Sequence, residues 1–143
     1  MNANTYFPGK LSHRGFLMAT LAVILLVGVS SGAWAGEPAW RDNPDRKNQG
    51  EVQFTLTPKG LANGKFRIDV YVTTHSGELG ALNLMELAEL QTGGKTYRPV
   101  SAAPMRGHHS PGRLEFSLDR VPDTFEIVIR GVRNMGDLTF RWP

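Results

Sequence analysis

Apolar and polar residues alternate through two neighbouring segments of the chain, 52–57 and 66–72. A side-chain period of two is that of a β-strand with one buried face. Asn63-Gly64 lies between the segments and is a strong hairpin turn signal, while Pro58 marks the predicted end of the first strand. The pattern therefore predicts an antiparallel hairpin whose apolar face is buried.

The middle of the chain has a different pattern. Asn83 is a predicted helix N-cap, apolar residues follow it at helical spacing, and Gly93-Gly94 is the predicted helix stop. Residues 95–100 then form a predicted short strand, which Pro99 confines to a sheet edge. The expected element is a helix of one or two turns that lies across an end of the sheets.

Three further alternating segments, 113–118, 125–130 and 138–142, complete the domain. Six or seven short strands with one apolar face each must bury those faces against a second sheet. The pattern predicts an all-β fold, an immunoglobulin-like antiparallel sandwich over residues 51–143, without the cysteine pair of antibody domains.

The N-terminal residues 1–35 have the three parts of a secretory signal peptide. Basic residues precede an uncharged apolar stretch, 16–31, and the small residues of Ala33-Trp34-Ala35 follow it. The alternative is a retained transmembrane anchor, because about 20 apolar residues are enough to span a bilayer. Both alternatives place the remaining chain outside the cytoplasm, in the periplasm or secreted.

Residues 36–50 are polar, contain Pro and Gly, and show no periodicity. They predict a flexible tether between the leader and the domain, with Trp40 as a possible point of contact with the domain.

Subtracting the leader changes the charge balance. The full chain has 16 Lys plus Arg against 13 Asp plus Glu, and two of the basic residues, Lys10 and Arg14, belong to the leader. The mature part is therefore nearly neutral, and its basic residues are scattered, which argues against a nucleic-acid partner. Cysteine is absent, so disulfides, thiolate zinc sites and catalytic cysteines are excluded.

Three histidines of the mature part are the candidate metal ligands. His75 follows the second strand, and His108 and His109 lie in the segment before the 113–118 strand. Imidazole is a common ligand of copper and zinc. Gly107 and Gly112 supply backbone freedom that would let the adjacent histidines converge.

Two further interpretations of these histidines remain open. Residues at loop ends often bond orphan backbone groups, so the histidine segments could lock together without an ion. A thioether could replace one imidazole, and the candidate residues are Met85, Met105 and Met135. The motifs of serine hydrolases, zinc proteases and phosphate-binding loops are absent, so no catalytic residue is predicted.

The order of these motifs resembles a group of small exported bacterial and archaeal domains of unassigned function. The shared segments are Thr74-His75-Ser76, Gly107-His108-His109 and a closing Phe140-x-Trp142, within about residues 50–142. The resemblance implies a β-sandwich, export, and histidine segments that lie next to each other.

The sequence thus predicts an exported, non-enzymatic β-sandwich module with copper or zinc as the candidate ligand of His75, His108 and His109. The alternative is a module without a metal site, in which a sheet face or edge meets another protein of the cell envelope.

Overall fold

The computed structural model describes residues 37–132 and 136–143. The predicted leader and Met135 lie outside the described residues. In these described residues, nine antiparallel strands form two sheets, five strands in one and four in the other, and the all-β prediction is confirmed. The strands are β1 (Asp45–Gln49), β2 (Val52–Ala62), β3 (Lys65–Thr74), β4 (Ala88–Thr92), β5 (Lys95–Tyr97), β6 (Ser101–Ala102), β7 (His109–Ser117), β8 (Phe125–Ile129) and β9 (Leu138–Trp142).

The strand order in the sheets has the immunoglobulin-like topology. The larger sheet has the order β1-β2-β3-β7-β6 and the smaller sheet β5-β4-β8-β9. In immunoglobulin domains, strands A, B, E and D form one sheet and C, F and G the other. Here β2-β3-β7-β6 take the first set of positions and β4-β8-β9 the second, β5 lies beside β4, and β1 is an additional strand.

The core lies between the inner faces of the two sheets. Alternate residues of the long strands are buried there, which explains the period of two in the sequence. The sheets contribute aromatic and branched side chains with almost no exposed surface: Phe54, Leu56, Phe66, Ile68, Leu114 and Phe116 from the larger, and Leu90, Ile127, Ile129 and Phe140 from the smaller.

The predicted hairpin is confirmed, but its first strand is longer than expected. Strands β2 and β3 pair from Val52 to Thr74, around a turn in which Asn63 and Gly64 both have positive φ. The strand does not end at Pro58, because the register shifts between Pro58 and Gly60 and pairing then continues. A bulge at this point accommodates a residue that has no N–H to donate.

The segment predicted as a tether differs most from its prediction. Residues Asp45–Gln49 form β1, which pairs with β2 along its whole length. Trp40 is buried, and its ring makes edge contacts with Phe66 and Phe125, each with a centroid separation of 5.4 Å. No alternation is visible in this segment because β1 is a short, polar strand at the edge of its sheet, and exposed edge strands usually have this character.

The predicted helix is present as one short turn, Leu84–Leu87, preceded by a 3-10 helix, Leu79–Ala81. The Asn83 side chain accepts a hydrogen bond from the N–H of Met85, as expected of an N-cap. The helix does not extend to Gly93-Gly94, because β4 begins at Ala88 and pairs with β8. The two glycines instead form the turn between β4 and β5, and both have positive φ.

Candidate functional site

The two histidine segments lie next to each other, as the resemblance implied. His109 is the first residue of β7 and pairs with Thr73 of β3. The carbonyl of His108 accepts a hydrogen bond from the N–H of Thr74 at 2.9 Å, and the N–H of His75 points to the carbonyl of Glu51 at 3.4 Å. The contact between the segments is therefore made by the backbone.

The histidine side chains are exposed at all three positions. The buried polar side chains of this corner are those of Thr74 and Ser110. Thr74 Oγ1 donates to the carbonyl of Ser76 at 2.7 Å, and Ser110 Oγ accepts from the N–H of Arg106 at 3.0 Å. These hydroxyls satisfy local backbone groups, which is the role that one interpretation gave to the histidines.

No group of three His, Asp or Glu side chains with the arrangement of a metal site occurs within residues 37–132 and 136–143. Of the candidate thioethers, Met105 is buried in the core and Met85 is exposed on the short helix. The copper or zinc site over His75, His108 and His109 stays a prediction, without a formed ligand set to support it.

The two glycines near the histidines have different roles. Gly107 has a φ of +59°, so it needs the freedom that the sequence suggested. Gly112 lies inside β7, and a Cβ at that position would approach the Met105 methyl group to 2.6 Å. Gly112 therefore leaves space for Met105 and does not turn the chain.

Each of the single substitutions His75→Ala, His108→Ala and His109→Ala is expected to change the free energy of unfolding by less than about 0.5 kcal/mol, because the side chains are exposed. The matched substitution Thr74→Val removes a buried hydroxyl with two local hydrogen bonds and is expected to cost about 1–2 kcal/mol. Urea denaturation measures both. A melting temperature that rises with Cu²⁺ or Zn²⁺ in the unchanged protein, but not in His109→Ala, would support the predicted metal site.

The outer face of the larger sheet carries a second candidate site that the sequence analysis missed. We call it the Tyr71 face: the outward side chains of adjacent strands around Tyr71, which is 45% exposed. The register places them in three rows across the sheet, namely Asn48, Gln53, Thr73 and His109, then Arg46, Thr55, Tyr71 and Pro111, then Thr57, Asp69 and Arg113. The signal in the sequence was a tyrosine at a polar position of an alternating strand.

A groove of about 360 Å³ crosses the Tyr71 face between two of these rows. Tyr71 and Pro111 line one side of it, and the ion pair of Asp69 with Arg113 lines the other. Thr55 and Thr57 also line the groove. The groove thus has one apolar wall and one hydrogen-bonding wall.

The charged groups of the Tyr71 face, and those of the two rows next to it, are held by short contacts across strands. Arg113 Nε donates to Asp69 Oδ1 at 2.8 Å, and this bond raises the pKa of Arg113 above its ordinary value. The hydrogen bond from Lys65 lowers the pKa of Glu115, with a contribution from Arg67. Both contacts therefore favour the charged forms of Arg113 and Glu115.

A polar cluster on the outer face of the smaller sheet has a structural role. The carboxylate of Glu89, which is buried, contacts Arg98 at 2.9 Å and Arg130 at 2.7 Å, and Arg130 also contacts Asp137 at 2.6 Å. A hydrogen bond from the N–H of Gly131, together with Arg130, lowers the pKa of Asp137. The cluster joins β4 to the segments beside β8 and β9.

A larger cavity, of about 570 Å³, lies beside the β4–β5 turn. The ion pair of Arg141 with Glu126, at 2.7 Å, borders it, and both side chains are already bonded to each other. It has no exposed aromatic side chain comparable to Tyr71 among the residues that line it.

Comparison of the chain with protein-family profiles, with curated proteins and with solved structures finds no match. In the part of the chain that the structure describes, no helix is long and apolar enough to cross a membrane.

Proposed function

We propose that this chain is an exported, non-enzymatic module that binds a component of the cell envelope through the Tyr71 face. The observation that carries the proposal is the groove on this face, with an exposed tyrosine on one side and an ion pair on the other. Tyr and Arg are the residue types that contribute most to binding energy at recognition surfaces.

The surroundings of Tyr71 support binding more than they support a purely structural role. A single exposed aromatic residue is common on protein surfaces and needs no explanation by itself. Here the ring borders a groove in the middle of a rigid sheet, where strands on both sides fix the positions of its neighbours. Binding groups on strands are held more precisely than groups on loops.

Export is the part of the proposal that rests on the sequence. The leader pattern of residues 1–35 supports it.

Expression of the full chain in bacterial cells tests export and binding through the Tyr71 face in one experiment. We expect a processed protein that begins at Gly36 and remains with washed cell envelopes. The Tyr71→Ala variant should instead be released into the wash. The matched control is Val121→Ala, which removes an exposed apolar side chain from the β7–β8 loop and should leave the protein on the envelope. An unprocessed protein in the cytosol would overturn export, and equal release of both variants would overturn the binding face.

A further inference from the structure

We infer that the groove of the Tyr71 face holds a ring of an acidic saccharide, an inference that rests on the function proposed above. A pyranose ring has an apolar face of C–H groups and a rim of hydroxyl groups. The groove has one side for each of these parts. Tyr71 and Pro111 offer an apolar surface, while Asp69 and Arg113 offer hydrogen-bond acceptors and donors. An aromatic ring is suited to the first contact, since it is a broad apolar surface with a polar hydroxyl at its edge.

The polar wall can bond hydroxyl groups directly. The side chains of Arg113 and Asp69 are 50% and 36% exposed, so each has surface left after their mutual hydrogen bond. A carboxylate accepts from several hydroxyls and a guanidinium donates up to five hydrogen bonds. Thr55 and Thr57 add hydroxyls that can donate or accept. A small number of fixed polar groups beside an apolar surface is the usual composition of a specific ligand site.

The position of the groove argues against a peptide as its ligand. A peptide that adds to a sheet needs an edge strand with an unpaired row of N–H and C=O groups. The groove lies over β2, β3 and β7, and β3 has hydrogen-bonded neighbours on both sides throughout this region. The backbone of β3 under the groove is therefore already paired, so a peptide strand cannot add to it there.

The charge of the face indicates that the saccharide is acidic. The outward residues of β1, β2, β3 and β7 include two carboxylates, Asp69 and Glu115, and both are in ion pairs. Arg46 donates to the hydroxyl of Thr55 at 3.3 Å, and no carboxylate of the described residues lies within ion-pair distance of it. In the three rows of the Tyr71 face the basic residues are Arg46 and Arg113 and the carboxylate is Asp69, so these rows carry one more positive than negative group.

The register places Arg46 in the same row as the apolar wall. Arg46 pairs with Thr55, and Thr55 pairs with Tyr71, which pairs with Pro111. Adjacent strands are about 4.8 Å apart, so this row is roughly 14 Å long. A chain of sugars that has one ring in the groove can therefore reach Arg46 with an acidic group of a neighbouring ring.

Titration calorimetry of the secreted form of the full chain tests the inference with three probes. These are oligogalacturonate, which is acidic, the matching neutral oligogalactose, and polyglutamate, which has carboxylates but no sugar rings. We expect oligogalacturonate to bind more tightly than the other two. Tyr71→Ala should weaken this binding at least about tenfold, while Tyr71→Phe keeps the ring and most of the affinity.

The variants separate ring contact from charge. Arg46→Met should weaken binding of oligogalacturonate about three- to tenfold and leave binding of oligogalactose unchanged, and Val121→Ala should change neither. Equal binding of polyglutamate, or unchanged binding in Tyr71→Ala, would overturn the inference. Absence of saccharide binding, with Tyr71→Ala still released from envelopes, would overturn the saccharide but not the proposed function. Failure of both experiments would overturn both.

Discussion

Replacing Trp40 with alanine is expected to lower the free energy of unfolding by about 3–5 kcal/mol, although the sequence places this residue outside the domain. Trp40 is buried, and its ring contacts Phe66 of the larger sheet and Phe125 of the smaller one. Its indole N–H also donates to the carbonyl of Pro122 at 3.2 Å. The substitution would leave a cavity between the sheets and an unpaired carbonyl.

Denaturation in urea measures this effect, with Glu37→Ala as the control from the same segment. Glu37 and Arg41 form an ion pair at 2.8 Å between exposed side chains, so its loss should cost less than about 1 kcal/mol. If Trp40→Ala were as mild as Glu37→Ala, the segment would be the tether that its composition predicts.

The second large effect is expected from the double substitution Arg98→Met with Arg130→Met, which should cost about 1–3 kcal/mol because it leaves the buried Glu89 carboxylate without a partner. Each single substitution leaves Glu89 with one arginine partner, but the double variant leaves its buried carboxylate with neither. The double variant should therefore lose more stability than the two single variants lose in sum.

Two further variants test this explanation by urea denaturation. Adding Glu89→Leu to the double variant should recover much of the lost stability, because the unpaired charge is then removed. Arg141→Met breaks a more exposed pair, with Glu126, and should cost less than about 1 kcal/mol. Additive single effects, or no recovery with Glu89→Leu, would show that Glu89 does not require these partners.

The pH dependence of this cluster has a defined sign. The pKa of Asp137 is below its ordinary value in the folded protein, so its contribution to stability is present at neutral pH. The contribution is lost as the pH falls through the folded-state pKa, because the protonated group no longer pairs with Arg130.

The sequence predicted the long strands well because each of them has one fully buried face. The alternation in β2, β3, β7 and β8 follows directly from that burial, and so does the two-sheet arrangement. Short or polar elements were not predictable in this way. Strand β1 has charged and amide side chains, and its position is fixed by pairing with β2 and by the hydrogen bond from Trp142 Nε1 to the carbonyl of Asn43 at 2.9 Å.

The candidate site shows the same division. Unusual residue types drew attention to His75, His108 and His109, and their segments do lie together, but the contact is made by backbone groups. The Tyr71 face is built from common residues that are far apart in the sequence, such as Arg46, Tyr71 and Pro111. Only the strand register brings them into one row, and register across sheets was not available from the alternation alone.

The retention of Tyr71→Ala on washed cell envelopes, compared with Val121→Ala, tests the central claim most directly. Both substitutions remove an exposed apolar side chain, so both variants should fold with nearly unchanged stability. If the Tyr71 face is the binding surface, Tyr71→Ala appears in the wash while Val121→Ala stays with the envelope. If the two variants are retained equally, the Tyr71 face is not the binding surface of this protein.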